Sequence, residues 1–73
     1  MIREEVDGLL TNLRRRGQVP MLVRVGEDIW GQWVEEIAPV MTPSSWATNM
    51  YNGVLFEKGN VDPAGVSIDS ESR

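Results

Sequence analysis

The chain has 73 residues, with no cysteine, no histidine and a formal net charge of −4. This length allows one domain at most, and the missing cysteine and histidine exclude disulfides, thiolate zinc sites and the commonest catalytic base. The acidic balance, with a pI near 4.6, argues against general nucleic-acid binding, which depends on neutralising phosphates.

The first predicted element is an amphipathic helix over residues 2–16. Acidic residues fill its first turn and Arg14, Arg15 and Arg16 its last turn, so the charges at both ends suit the helix dipole. Gly17 follows at the position where a helix commonly ends. The apolar stripe of this helix is formed by Ile2, Val6, Leu9, Leu10 and Leu13.

The second predicted element is a β-strand at residues 18–25, QVPMLVRV, followed by a turn at residues 26–28. Residues 29–37, IWGQWVEEI, are ambiguous because their apolar positions also fit one helical face. Gly31 and the acidic pair Glu35 and Glu36 oppose a helix, since the acids would lie at its negative end. We predict a second strand here, with a helix as the alternative.

The remaining sequence predicts a loop, a short helix, a strand and a tail. Thr42 is the expected N-cap of a helix that begins at Pro43 and ends at the pair Asn52 and Gly53. GVLFE at residues 53–57 predicts a strand, and residues 60–73 predict a flexible, disordered acidic tail because apolar residues are scattered there.

These elements predict a small α+β domain over residues 1–59, in which the N-terminal amphipathic helix packs on a short antiparallel sheet. The predicted core consists of Val6, Leu9, Leu10, Leu13, Leu22, Val25, Trp30, Val34 and Phe56.

Catalytic and metal-binding patterns are not found in the sequence. The acidic pairs at residues 27–28 and 35–36 would point to opposite faces of a strand, so neither pair converges on a substrate. The acidic residues near the C-terminus lack the spacing of a calcium loop, and the scattered glycines match no phosphate-binding motif. We therefore expect a protein that is not an enzyme and that carries no cofactor and no metal.

Two groups of residues are candidates for contact with a partner. The three arginines are explained by helix-end charge, by protein contact or by phosphate contact, and the sequence leaves these three open. On a strand at 29–37, one tryptophan would share the outer face with a glutamate, and tryptophan is favoured in protein interfaces. The predicted partner-binding residues are Arg14, Arg15, Arg16, Trp33, Glu35 and Glu36.

The segment MIREEVDGLLTNLRRRGQVPMLVRVGEDIWGQWVEE, followed by a loop and an acidic tail, resembles small bacteriophage-encoded regulators of host RNA polymerase. The likeness is in length, acidic charge and the absence of cysteine and histidine. The resemblance implies a non-enzymatic protein that binds the large catalytic subunits of bacterial RNA polymerase. We expect the protein to be a monomer. It implies that the protein interferes with the binding of the sigma factor and inhibits transcription initiation. Antitermination during elongation is a second activity that the resemblance allows.

We expect a cytoplasmic protein, because no apolar run reaches the roughly 18 residues of a membrane span and the N-terminus resembles neither a secretory signal nor a transit peptide. The resemblance implies that this is the cytoplasm of an infected bacterium. The alternatives are a small nucleic-acid-binding module that uses the arginine-rich helix end, and a generic structural interaction domain. An enzyme built on carboxylates is a third alternative, and it would require a pocket around a carboxyl group of raised pKa.

Overall fold

The computed structural model describes residues 1–72, which form three α-helices and a four-stranded mixed sheet. The α+β class predicted from the sequence is therefore confirmed. The helices are α1 (Ile2–Arg15), α2 (Trp30–Ile37) and α3 (Pro43–Thr48). The strands are β1 (Gln18–Val25), β2 (Met50–Tyr51), β3 (Val54–Lys58) and β4 (Val66–Ser72).

The sheet has the strand order β2-β3-β1-β4, and its two central strands are parallel. In this register Val23 of β1 lies opposite Phe56 of β3 and, across an antiparallel pairing, opposite Ile68 of β4. The prediction of a purely antiparallel sheet is wrong, because α2 and α3 lie in the long connection from β1 to β3. Parallel neighbours require a crossover of this kind.

The prediction of a strand at residues 29–37 is also wrong, since Trp30–Ile37 is α2. Glu36 does not destabilise the end of this helix, because its carboxylate accepts backbone N–H groups from the first turn of α1. The distances are 2.9 Å from Arg3 N to Oε1 and 3.4 Å from Ile2 N to Oε2. The negative end of α2 thus meets the positive end of α1.

The prediction of a disordered tail over residues 60–73 is wrong for residues 66–72, which form β4 along β1. The loop before β4 is fixed to the turn after β1: Gly26 N donates to the carbonyl of Gly65 and Asp28 N to that of Pro63, both at 2.9 Å. A Cβ on Gly26 would lie 2.1 Å from the Pro63 oxygen, so this contact requires glycine. The globular unit therefore extends past the predicted limit at residue 59.

The predicted helix after Thr42 begins where expected, but it ends at Thr48 rather than at residue 52. Thr42 caps it, with its side chain accepting the Ser45 N–H at 3.2 Å. Asn52 and Gly53 then have φ values of 54° and 78° and connect β2 to β3. An Asn-Gly pair with positive φ is a strong hairpin signal, so the sequence did contain the sign of β2.

The core lies between the helices and one face of the sheet. Val6, Leu10, Val25 and Phe56 are buried as predicted, and Trp30 and Val34 pack against the core while partly exposed. Leu9, Leu13 and Leu22 are only partly buried and lie outside this core. The buried residues are Ile2, Val6, Leu10, Val23, Val25, Trp33, Ile37, Tyr51, Val54 and Phe56.

Candidate protein-binding surface

In the part of the chain that the structure describes, one face of the sheet carries no helix. The helices cover the face on which Val23 and Val25 are buried, so Leu22 and Arg24 point to the other face. The strand register places Leu55 beside Leu22, and Glu57 beside Arg24, on this same face. We call it the open sheet face and define it by Val19, Leu22, Arg24, Leu55, Glu57, Asp69 and Glu71.

A charged triad crosses the open sheet face from β3 to β4. Arg24 donates from Nη1 to Glu57 Oε1 at 2.9 Å, and from Nη2 and Nε to Asp69 Oδ2 at 2.9 and 3.0 Å. The hydrogen bond to Asp69 is the main reason that the pKa of Arg24 is raised. Exposed ion pairs add little to stability, so the triad mainly fixes where these charges are presented.

Apolar side chains lie beside the triad. Leu55 is 48% exposed and Val19 is 39% exposed. Met21, which the register shift in β1 leaves without a Cα partner, is 45% exposed. Exposed apolar groups clustered on adjoining strands and rimmed by charge are typical of a protein-binding surface.

The arginine triplet lies at the C-terminal end of α1 and is exposed. Arg14 donates from Nη2 to the Asn52 carbonyl at 3.1 Å, in the turn between β2 and β3. Within residues 1–72, the side chains of Arg15 and Arg16 have no ion-pair or hydrogen-bond partner. They are available for contact with a partner, and that role stays a prediction.

The predicted position of Trp33 on an exposed sheet face is wrong. Trp33 belongs to α2 and has 0% of its surface exposed. Its ring stands edge-on to those of Tyr51 and Phe56, with centroid distances of 5.1 and 5.7 Å. Because residues 30–37 are helical, Trp33 lies on the side of α2 that faces the core. Its side chain is therefore not available for contact with a partner in this fold.

The two glutamates of α2 differ in their surroundings. Glu35 is exposed, and its contact with a partner stays a prediction. The pKa of Glu36 is lowered, first by the backbone N–H of Arg3, against the opposing effect of partial burial. Glu36 and the arginine triplet are at opposite ends of α1, about 20 Å apart at 1.5 Å per residue. The predicted contact residues therefore do not form one patch.

A cavity of about 330 Å³ lies between α1, β2 and the segment before α3. At its edge Arg3 Nε donates to the Tyr51 hydroxyl at 3.2 Å, and that hydroxyl donates to Asp7 Oδ1 at 2.6 Å. The pKa of Tyr51 is raised, first by burial and then by the hydrogen bond to Asp7. The sequence did not predict this cluster, because Tyr51 is 44 residues from Asp7 and only the fold brings them together.

The described part of the chain, residues 1–72, contains no group of three acidic, histidine or cysteine side chains that could hold a metal ion. No helix in those residues is long and apolar enough to cross a membrane. Comparison of the chain with protein families, with curated proteins and with solved structures gives no match.

Proposed function

We propose that this protein is a non-enzymatic transcription regulator of the phage type that binds the large subunits of bacterial RNA polymerase by protein–protein contact. It interferes with the hold of the sigma factor and so inhibits initiation, and antitermination during elongation is a second role. It acts in the cytoplasm of the infected bacterium. The choice of polymerase comes from the sequence resemblance, and the mode of action from the surface.

The observation that supports binding through contact is the open sheet face. Its exposed Leu55 and Val19 lie on the same face as the Arg24 triad, and the combination of exposed apolar and charged side chains on one face is common in interfaces. A standard interface buries about 800 Å² on each partner. That area is roughly one sixth of the 4629 Å² surface of this protein. A specific contact would therefore use a patch of about that share of the surface, centred on the open sheet face.

The test is co-elution of the purified protein with core polymerase and with the sigma-containing holoenzyme in size-exclusion chromatography. We expect co-elution with the core enzyme and loss of sigma from the holoenzyme peak. Failure to co-elute with either form of the enzyme from a suitable host would refute the proposal.

A pair of matched variants tests the surface. Leu55→Glu places a charge on the open sheet face, and Val40→Glu places one at an apolar position of equal exposure, 48% against 49%, beyond the end of α2. We expect Leu55→Glu to weaken polymerase binding by about tenfold or more, the scale of a central interface residue, and Val40→Glu to leave it unchanged. Equal binding by both variants would show that polymerase is bound elsewhere.

A second candidate function, contact with nucleic acid through the helix end, is favoured by the exposure of Arg15 and Arg16. It predicts affinity for free duplex that falls steeply with salt and that is lost in the double variant Arg15→Ala, Arg16→Ala. Under the main proposal, free duplex is not bound.

A further inference from the structure

The outer edge of β4 is the longest unpaired strand edge in the described residues. β4 has seven residues and pairs with β1 on one side, and no strand within residues 1–72 lies on its other side. The opposite edge of the sheet is β2, which has only two residues. A free edge of this length presents a row of unpaired backbone N–H and C=O groups, which are the groups that bind an added strand.

The ladder between β1 and β4 determines which backbone groups point outward. Gly26 N donates to the Gly65 carbonyl at 2.9 Å, and these residues are in register with the pairs of the ladder. Gly26 and Gly65 therefore occupy a hydrogen-bonded position of the ladder, although Gly65 N donates to the Asp62 carbonyl at 3.1 Å instead of back to Gly26. Such positions alternate with non-bonded ones in an antiparallel ladder. The residues of β4 that direct N–H and C=O away from β1 are therefore Val66, Ile68 and Ser70.

A proline in β1 agrees with this alternation. Pro20 lies opposite Ser70 and has no N–H to donate. Because the ladder needs no hydrogen bond at that pair, the proline costs nothing there. The proline at this position is therefore compatible with an outward-directed backbone at Ser70.

The charge on β4 argues against pairing with a second copy of this chain. Asp69 and Glu71 point to the open sheet face along the free edge, opposite Leu22 and Val19 of β1. With Glu57 and Arg24 they make three carboxylates against one guanidinium, a local charge of −2. Two β4 strands side by side would bring carboxylates across from one another, and like charges facing across strands are destabilising. Lysine or arginine in those positions would be favoured instead.

We infer that β4 accepts an extended, basic segment of a partner protein as an added strand. The backbone of that segment bonds to Val66, Ile68 and Ser70, and its basic side chains lie beside Asp69 and Glu71. The inference deepens the proposed function and rests on it only for the identity of the partner. The recognition chemistry is that of the edge itself.

The probe is a short synthetic peptide that alternates lysine with threonine, compared with the same peptide carrying glutamate in place of lysine. In amide-resolved NMR of the full chain, we expect the lysine peptide to change the chemical shifts of the β4 amides. We also expect it to slow hydrogen exchange with solvent at the N–H groups of Val66, Ile68 and Ser70. The glutamate peptide should do neither. Shifts confined to other elements, or equal effects of both peptides, would overturn the inference.

Two variants separate backbone pairing from simple charge attraction. Ser70→Pro removes an outward N–H without touching the bonds to β1, and Ser70→Ala is its control, because both variants lose the side-chain bond from Ser70 Oγ to Gln18 at 3.2 Å. We expect Ser70→Pro to weaken peptide binding about tenfold and Ser70→Ala to leave it unchanged. Glu71→Lys, which changes no backbone group, should also weaken binding of the lysine peptide. Retained affinity in both Ser70→Pro and Glu71→Lys would refute strand addition at this edge.

Polymerase binding, measured beside peptide binding on the wild-type protein, distinguishes the inference from the proposed function. Wild-type protein that binds the lysine peptide at β4 but not polymerase would refute the proposed function and support the inference. Wild-type protein that binds polymerase but shows no response of β4 to the peptide would refute the inference alone. Self-association that increases with concentration in light scattering, and is lost in Ser70→Pro, would assign the edge to a second copy and refute the basic partner.

Discussion

Replacing Trp33 by alanine should remove much of the stability of this protein. The indole is fully buried and stands edge-on to Tyr51 and Phe56. Truncating a buried tryptophan typically costs about 3–5 kcal/mol in the free energy of unfolding. At roughly 0.05–0.15 kcal/mol per residue, the whole chain of 73 residues is stabilised by about 4–11 kcal/mol. We therefore expect Trp33→Ala to be partly unfolded even without denaturant if the wild type is near the lower end of that range.

Two further tryptophan variants make this prediction sharper. Trp33→Phe keeps an aromatic ring and removes Nε1–H, which is buried with no hydrogen-bond partner among residues 1–72. An unpaired buried donor costs about 1–3 kcal/mol, and this relief offsets part of the lost packing. We expect Trp33→Phe to lose less than about 2 kcal/mol. Trp46→Ala is the matched control, because Trp46 is 37% exposed, and its loss should stay within about 1 kcal/mol.

The assay is urea denaturation followed by far-UV circular dichroism, with the slope compared between variants to confirm that the same surface is exposed on unfolding. Equal stability of Trp33→Ala and wild type would refute the placement of Trp33 in the core. A loss in Trp46→Ala as large as that in Trp33→Ala would show that burial does not separate the two side chains.

Three other predictions concern acid, base and the C-terminal strand. The pKa of Glu36 is lowered in the folded protein, so its stabilising effect is present above its unfolded pKa of about 4.3 and is lost as the pH falls through the folded pKa. The urea midpoint of the wild type should therefore fall more in acid than that of Glu36→Gln. Parallel dependence of the two midpoints on pH would contradict this. The pKa of Tyr51, the one tyrosine of the chain, is raised, so ultraviolet titration of the native protein should have its midpoint above about 10, whereas the urea-unfolded chain should titrate near 10. The stabilisation that comes from the protonated Tyr51 hydroxyl is lost as the pH rises through the folded pKa. Equal midpoints would count against burial of the hydroxyl. Truncation after Gly65 removes β4 and should abolish cooperative unfolding, because β1 loses one of its two neighbours; an unchanged midpoint would mean that the strand adds nothing to the fold.

The sequence determined the elements whose signals are local. The apolar period and the end charges of α1 lie within one segment, and the structure places α1 at Ile2–Arg15. The cap and proline of α3 are consecutive residues, so the sequence predicts its N-cap at Thr42 and its first residue at Pro43, as observed, whereas the predicted end is wrong. Helical geometry alone also predicts that at least one of the three arginines is exposed, because successive positions on a helix point in different directions.

The tertiary structure decided the elements whose stabilisation is distant in sequence. In the local sequence pattern Glu36 disfavours a helix at residues 29–37. In the fold, its carboxylate accepts a hydrogen bond from the first turn of α1, 33 residues away in the chain, and this contact offsets the local effect. β4 has weak apolar content, and it becomes a strand because β1 supplies hydrogen-bond partners and the core receives Val66 and Ile68. The open sheet face and its free edge exist only because β4 takes this place. Local pattern carries no information about partners so far apart in the chain, and the candidate binding surface therefore had to come from the fold.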